Sequence, residues 1–262
     1  MSEDRIPIAE LAARLEECEL QARDTLRITL EHPELNIEDA YAIQEEIRRR
    51  KVARGSRIIG FKAGLTSRAK MRQMGVEVPV FGFLADYFAV PEGSEVRLES
   101  LIHPKVEPEI AFVMKRALRG PDCDVAEALG ATDFIIPAME VIDSRYRDFK
   151  FDLPSVVADN CSSCRIVLGS RPARPASLDL RTAGVVLEKN GQPTAFGAGA
   201  AVMGHPAAAV ASLANFLAAR GAQIPAGAVI LSGGITEAVT AASGDSFAVR
   251  VQDVGSVSVR FV

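Results

Sequence analysis

Residues 103–113 read HPKVEPEIAFV, and this stretch decides how the chain folds. Ile110, Phe112 and Val113 continue it into an apolar core strand, while Glu107 and Glu109 stand two residues apart at its start. On a strand that spacing puts both carboxylates on one face, about 6.5–7 Å apart along the chain. Two carboxylates at the mouth of an apolar strand repel each other unless something positive lies between them. A third acid, Glu140, interrupts the otherwise apolar run FIIPAMEVIDS (134–144). An ionised carboxylate there needs a cation or hydrogen bonds, or its pKa rises. Three such acids point to a hard divalent cation held by oxygen ligands, of which Mg²⁺ is the type that keeps positions open to water or substrate. Spacing alone leaves a second reading open, in which Glu107 and Glu109 are rim residues and Glu140 pairs with an arginine such as Arg145.

Upstream, residues 57–84 read RIIGFKAGLTSRAKMRQMGVEVPVFGFL. Lys62 sits between Gly60 and Gly64 at the end of an apolar strand, and flanking glycines let backbone approach a ligand closely. A lysine in that setting can neutralise a substrate carboxylate or move a proton. It can equally be a plain surface lysine or form a salt bridge to one of the three acids. No G-K-[ST] follows, so the segment is not a phosphate loop. Of the histidines, His103 is a candidate fourth ligand or acid/base group, His205 reads as a helix cap, and His32 lies in a turn. No G-x-S-x-G occurs.

Around these segments the texture is β-rich from residue 56 on. Expected strands are Arg57–Phe61, Glu109–Met114, Phe134–Ile142, Val185–Lys189, Val229–Leu231, Ser246–Val251 and Ser256–Val262. Asn190-Gly191 marks a hairpin. Helices are expected near Asp124–Leu129 and from Pro206 to Gly221. The first 55 residues read as helical. Ile8, Leu11, Ala12, Leu15, Cys18, Ala22 and Leu26 form one apolar stripe. A second helix opens at Asn36 and stops at Gly55, with the basic run Arg48–Lys51 read as its solvated end. Strands and helices do not alternate regularly, so the fold class is α+β, with a helical N-terminal segment (1–55) and a β-rich catalytic domain (56–262) forming one unit.

The chain has 262 residues, 48% apolar and 24% charged, the composition of a globular protein able to bury a sizeable core. A net charge of −4 argues against a nucleic-acid partner. No run of 18 apolar residues predicts a membrane span, and the acidic start MSEDRIPIAE is no secretory signal. Four cysteines, Cys18, Cys123, Cys161 and Cys164, are too few for a disulfide scaffold, so a cytoplasmic location and free thiols are expected. Cys161 and Cys164 have C-x-x-C spacing but no further ligand pair, and read as small buried side chains.

GFKAGLTS (60–67), HPKVEPEIAFV, IPAMEVIDSR (136–145) and VADN (157–160) together resemble the hydratase/decarboxylase group of the fumarylacetoacetate hydrolase superfamily. The resemblance runs from LNIEDAYAIQ (35–44) to the terminal GSVSVRFV. It implies a mixed β-sheet roll with helices packed outside. It implies Mg²⁺ or Mn²⁺ on Glu107, Glu109 and Glu140, and an active-site lysine at Lys62. Hydratases of the group carry P-D-[FY]-G; here the same stretch is Pro79-Val80-Phe81-Gly82, and Val80 cannot move a proton. That departure favours loss of CO₂ from 2-oxohex-3-enedioate, a small dicarboxylate of aromatic meta-cleavage catabolism. Hydration of 2-hydroxypenta-2,4-dienoate is the alternative, and a non-catalytic partner subunit of such a hydratase is a third. Ser162, in the loop after VADN, is expected to hydrogen-bond substrate. The N-terminal helices and several apolar strands suggest a homo-oligomer, and the resemblance implies that the chain can associate with the cognate hydratase.

Overall fold

From Ile58 onward the chain builds two sheets, with helices closing over them, in a computed structural model that describes residues 6–262 apart from the side chains of residues 69, 70 and 73. The helices are α1 (Ile8–Leu20), α2 (Ile37–Ala53), α3 (Arg68–Met74), α4 (Val125–Ala131), α5 (Leu153–Ala158) and α6 (Pro206–Ala218). The strands are β1 (Ile58–Gly64), β2 (Val80–Ala85), β3 (Ala89–Val90), β4 (Glu95–Val96), β5 (Lys105–Met114), β6 (Thr132–Ile142) and β7 (Ser163–Leu168). They continue as β8 (Gly184–Lys189), β9 (Gln192–Ala198), β10 (Val229–Leu231), β11 (Val239–Thr240), β12 (Ser246–Val251) and β13 (Gly255–Phe261). Among the described residues the larger sheet runs β2-β1-β10-β5-β6-β7-β3, with β11 beside β5, and the smaller runs β4-β13-β12-β8-β9. Parallel pairs (β1 with β10, β3 with β7, β13 with β4) interrupt mainly antiparallel ladders, so the sheets are mixed and the class is α+β.

Successive side chains on a strand point to opposite faces, and β5 and β6 use this to separate core from chemistry. Val106, Ile110 and Phe112 on β5, with Ile135, Met139 and Val141 on β6, enter the main core beside Phe247, Val249, Val257 and Phe261 of the smaller sheet. The opposite face carries Glu107, Glu109 and Ala111, with Ile136, Ala138 and Glu140. A separate cluster joins Leu11, Leu15, Ile43 and Ile47 of α1 and α2 to Val80 and Phe83 of β2 and Val157 of α5. Residues 1–5 of the expected N-terminal segment lie outside the described residues.

Several sequence signals act locally as read. The Asn36 side chain accepts from the Glu38 and Asp39 amides and closes a capping box with Asp39. Asn190 and Gly191 take φ of 54° and 74°, and Lys189 pairs with Gln192 across the turn. His205 Nδ1 accepts from the Ala207 amide at the start of α6.

Other expectations are corrected. The first stripe overshoots: α1 ends at Leu20, Ala22 turns to φ 48°, and Leu26 is exposed. Lys51 is not part of a solvated helix end but fully buried, 2.7 Å from Glu19 Oε2 and 2.6 Å from the Tyr87 hydroxyl. Residues 199–218 are apolar enough on average to cross a membrane. In the structure, however, Met203 and Gly204 turn the chain with φ of 50° and 82° before the 13-residue α6 begins. That helix spans only about 20 Å and packs Val210, Leu213 and Ala214 into the main core.

Candidate metal centre

The register between β5 and β6 sets Glu107 directly opposite Glu140, and Glu109 opposite Ala138. One carboxylate oxygen from each of Glu107, Glu109 and Glu140 lies within 4.8 Å of the others. All three side chains are buried, Glu109 and Glu140 completely. Like charges directly opposite on neighbouring strands destabilise a sheet, so the cluster needs a cation. Burial pushes the Glu109 carboxyl well above the usual carboxylate range, Glu140 and Glu107 push it further, and Lys62 opposes them. Burial likewise raises Glu140, against the pull of Lys62.

Lys62 reaches the cluster from β1. In the sheet order β1 and β6 are three strand spacings apart, which in a flat sheet is about 14 Å. Yet Lys62 Nζ lies 3.0 Å from Glu140 Oε2. The larger sheet therefore curls around its acidic face and makes it concave, the roll expected of the fold. Lys62 Nζ also donates to the Cys161 carbonyl at 3.1 Å. Burial acts to lower its pKa, but Glu140, Cys161 and Glu107 outweigh that and hold the ammonium above its ordinary range. While the acids around it carry their charge, Lys62 is held as an ammonium.

The donor chemistry fits a hard dication. Glu109 Oε2 accepts from the Gly233 amide at 2.7 Å, whereas Glu109 Oε1 and Glu140 Oε1 are buried with no hydrogen-bond partner among the described residues. Unpartnered buried carboxylate oxygens are costly unless a metal takes them. Three carboxylates and one ammonium leave two negative charges for a dication to neutralise. An all-oxygen set suits magnesium, manganese or calcium and not a thiophilic metal.

Two glycines missed in the sequence complete the seat. Gly233, with φ of 108°, supplies the amide to Glu109. A Cβ on Gly234 would stand 2.8 Å from the Glu107 carboxyl carbon. The readable signal was the Gly-Gly pair one residue beyond the apolar strand Val229–Leu231, after Ser232.

The remaining expected residues sort as follows. Val80 is buried on β2 opposite Gly64. A Cβ on Gly64 would meet Val80 Cγ2 at 3.3 Å, Lys62 Nζ at 3.6 Å and Cys161 Cβ at 3.7 Å, so these three side chains converge on one glycine. Ser162 is buried with its hydroxyl unpartnered, ending a run in which Asn160, Cys161 and Ser162 take φ of 47°, 53° and 59°. Left-handed backbone costs about 1–2 kcal/mol per non-glycine residue, and such strain clusters at functional sites. His103 is not among the acids; its ring packs on Phe149 with centroids 4.7 Å apart. Arg145 does not pair with Glu140: it grips Asp159 through Nε and donates to the Asp143 and Ser163 carbonyls. Burial makes both thiols of the C-x-x-C poor ionisers, with Cys161 and Cys164 pushed up to about 12. A cavity of about 620 Å³ between α2, β2 and α6, lined by Tyr41, Phe81, Phe216 and Arg220, includes none of the three glutamates nor Lys62.

No protein-family model matches the chain. It is 57% identical over 258 residues to 4-oxalocrotonate decarboxylase of Pseudomonas sp. (strain CF600), covering 98% of each chain. It is 43% identical over 250 residues to 2-hydroxyhexa-2,4-dienoate hydratase of Comamonas testosteroni, covering 95% of each. The solved structure of 4-oxalocrotonate decarboxylase from Pseudomonas putida G7, complexed with magnesium and adipate, superposes with a TM-score of 0.95 at 56% identity over 97% of both chains. Fumarylpyruvate hydrolase from Pseudomonas aeruginosa, at 16% identity over 77% of this chain and 88% of that one, shares the fold with a TM-score of 0.58.

Proposed function

The chain belongs to the hydratase/decarboxylase family of the fumarylacetoacetate hydrolase superfamily, and from that membership we propose that it is a metal-dependent carboxy-lyase acting on 4-oxalocrotonate. The C5–C6 bond of 2-oxohex-3-enedioate breaks, CO₂ leaves, and its electron pair moves through C5, C4 and C3 onto the C2 oxygen. That oxygen takes up one proton, giving 2-hydroxypenta-2,4-dienoate. Glu107, Glu109 and Glu140 would hold Mg²⁺ or Mn²⁺. When bound, the cation supplies a Lewis acid for the ketone oxygen that gains charge as CO₂ departs.

The chain's own residues supply the rest. Lys62, its Nζ 3.0 Å from Glu140 Oε2, offsets negative charge on the dianionic substrate. Gly233 steadies Glu109, and the unpartnered Ser162 hydroxyl is available to substrate. The observation that carries decarboxylation over hydration is Val80. Buried beside Lys62, it offers no group to deliver or remove a proton. Adding water across a double bond needs such a group, and losing CO₂ does not. An apolar wall also disfavours a solvated carboxylate more than neutral CO₂.

The test is incubation with 4-oxalocrotonate and, separately, with 2-hydroxypenta-2,4-dienoate, each with and without Mg²⁺. Magnesium-dependent CO₂ release from the first, with the second unhydrated, is expected. Formation of 4-hydroxy-2-oxopentanoate without CO₂ release would assign the chain to the hydratases. We also place the enzyme in the cytoplasm, supported by four free, buried thiols. It would work as a homo-oligomer able to associate with the cognate hydratase, a reading supported by exposed Leu20, Leu26 and Leu30 near the N-terminus. Light scattering of the pure protein, alone and mixed with that hydratase, checks both.

A further inference from the structure

We propose that Asn160 is a positioning residue for Lys62, acting by closing the free edge of β2; the inference rests on the role given to Lys62 above. β2 is the last strand of the larger sheet, so one edge of it has no neighbouring strand. Three side chains stand in for that strand. The Tyr41 hydroxyl accepts from the Phe81 amide at 3.2 Å, and Gln44 Nε2 donates to the Phe81 carbonyl at 3.0 Å. Asn160 serves the next outward-facing residue with both ends of its amide. Its Oδ1 accepts from the Phe83 N–H at 2.9 Å, and its Nδ2 donates to the Phe83 carbonyl at 3.0 Å.

Of the three, Asn160 alone is also the first residue of the left-handed turn 160–162. The carbonyl that receives the Lys62 ammonium belongs to the next residue, Cys161. Gly82 shows how closely the parts fit: a Cβ there would lie 2.7 Å from Asn160 Oδ1 and 3.3 Å from Lys62 Cδ. The Asn160 amide and the stem of Lys62 thus lie against the same backbone atom. Asparagine is among the few side chains that tolerate left-handed backbone, but Cys161 and Ser162 have no such tolerance. Their conformation is held from outside: the Asp143 amide donates to the Ser162 carbonyl at 2.8 Å, and the paired bonds to Phe83 brace the turn at its first residue. Without them the turn relaxes, the Cys161 carbonyl rotates, and Lys62 loses one of its two partners while the glutamates on β5 and β6 stay in place.

The test uses Asn160→Ala, Asn160→Asp, Lys62→Met and the double variant Lys62→Met/Asn160→Ala. Asn160→Asp keeps the acceptor for the Phe83 amide and removes the donor. At saturating Mg²⁺ and substrate, Asn160→Ala should lower kcat about 10–100-fold, with KM and the calorimetric Mg²⁺ affinity within about twofold of wild type. Asn160→Asp should fall between. In the double variant the Asn160 effect should vanish, because its only route to the chemistry is already gone. A crystal structure of Asn160→Ala reads the positioning without turnover, and the Cys161 carbonyl should be turned away from Lys62 Nζ. An unchanged contact there overturns the proposal. So do an unchanged kcat, losses that multiply in the double variant, a fall in Mg²⁺ affinity matching the fall in kcat, or failure of both Asn160 variants to fold. A wild-type protein that releases no CO₂ would instead sink the proposed reaction and leave the crystallographic readout in force.

Discussion

At the scale of single residues, the site is built from groups that the fold would be more stable without. Glu109 is fully buried, faces two other carboxylates, and has one oxygen unpartnered. Glu109→Gln keeps an acceptor for Gly233 and removes the charge. Metal-free Glu109→Gln should therefore melt above the metal-free wild type, while its Mg²⁺ affinity should drop about 10–100-fold or more, the range seen when a metal site loses a partner group. Thermal melts with and without Mg²⁺ check both directions. Val80→Asp is the second test at this scale. It puts a carboxyl beside Lys62, and should cut CO₂ release about 10–100-fold, or about 1.4–2.8 kcal/mol of barrier, while opening hydration of 2-hydroxypenta-2,4-dienoate, followed by product analysis. The three acids and Lys62 were legible because a polar residue inside an apolar strand announces itself, and a spacing of two fixes its face. The roles of Asn160 and Gly234 were not. They exist only against Phe83 and Glu107, 77 and 127 residues away; VADN and the Gly-Gly pair mark the positions but not the partners.

Elements with a local cause were legible, and elements with a tertiary cause were not. The start of α2 is one of the former, since a capping box is written within four residues. Asn36→Ala should cost about 1 kcal/mol, measured as a lower urea midpoint with activity unchanged. The hairpin at Asn190-Gly191 belongs with it, because both residues need positive φ and these two tolerate it. By contrast β2 was not among the expected strands. Every residue from Val80 to Ala85 is buried, so no alternation appears, and Gly82 and the preceding Pro79 look like punctuation. Strand β7 was missed because it follows directly on a left-handed turn of non-glycine residues, which no propensity rule anticipates. Lys51 was misjudged for a similar reason: the acid that holds it, Glu19, is on another helix.

Across the whole molecule, burial controls the titration of the thiols. Burial raises all four cysteines above the free value of 9.0, Cys123 to about 11 and Cys161 and Cys164 to about 12. The unfolded chain can ionise its thiols from pH 9, and the native chain cannot, so deprotonation favours unfolding as pH rises. Stability should fall between pH 9 and about 12, and the fall should be shallower in a Cys161→Ala/Cys164→Ala variant, read from urea midpoints at pH 8 and pH 10.5. At pH 8 the native protein should react with a thiol reagent only after denaturation.

The three-residue strand β10 joins β1 to β5 across the middle of the larger sheet. The halves it connects were made long before it: Lys62 and Glu140 both precede Val229 in the chain. During translation, then, the acids and the lysine leave the ribosome well ahead of the piece that seats them together. A nascent chain arrested before residue 229 would carry every charged group of the cluster, yet lack both the strand that brings Lys62 alongside the acids of β5 and β6 and the Gly233 amide that steadies Glu109.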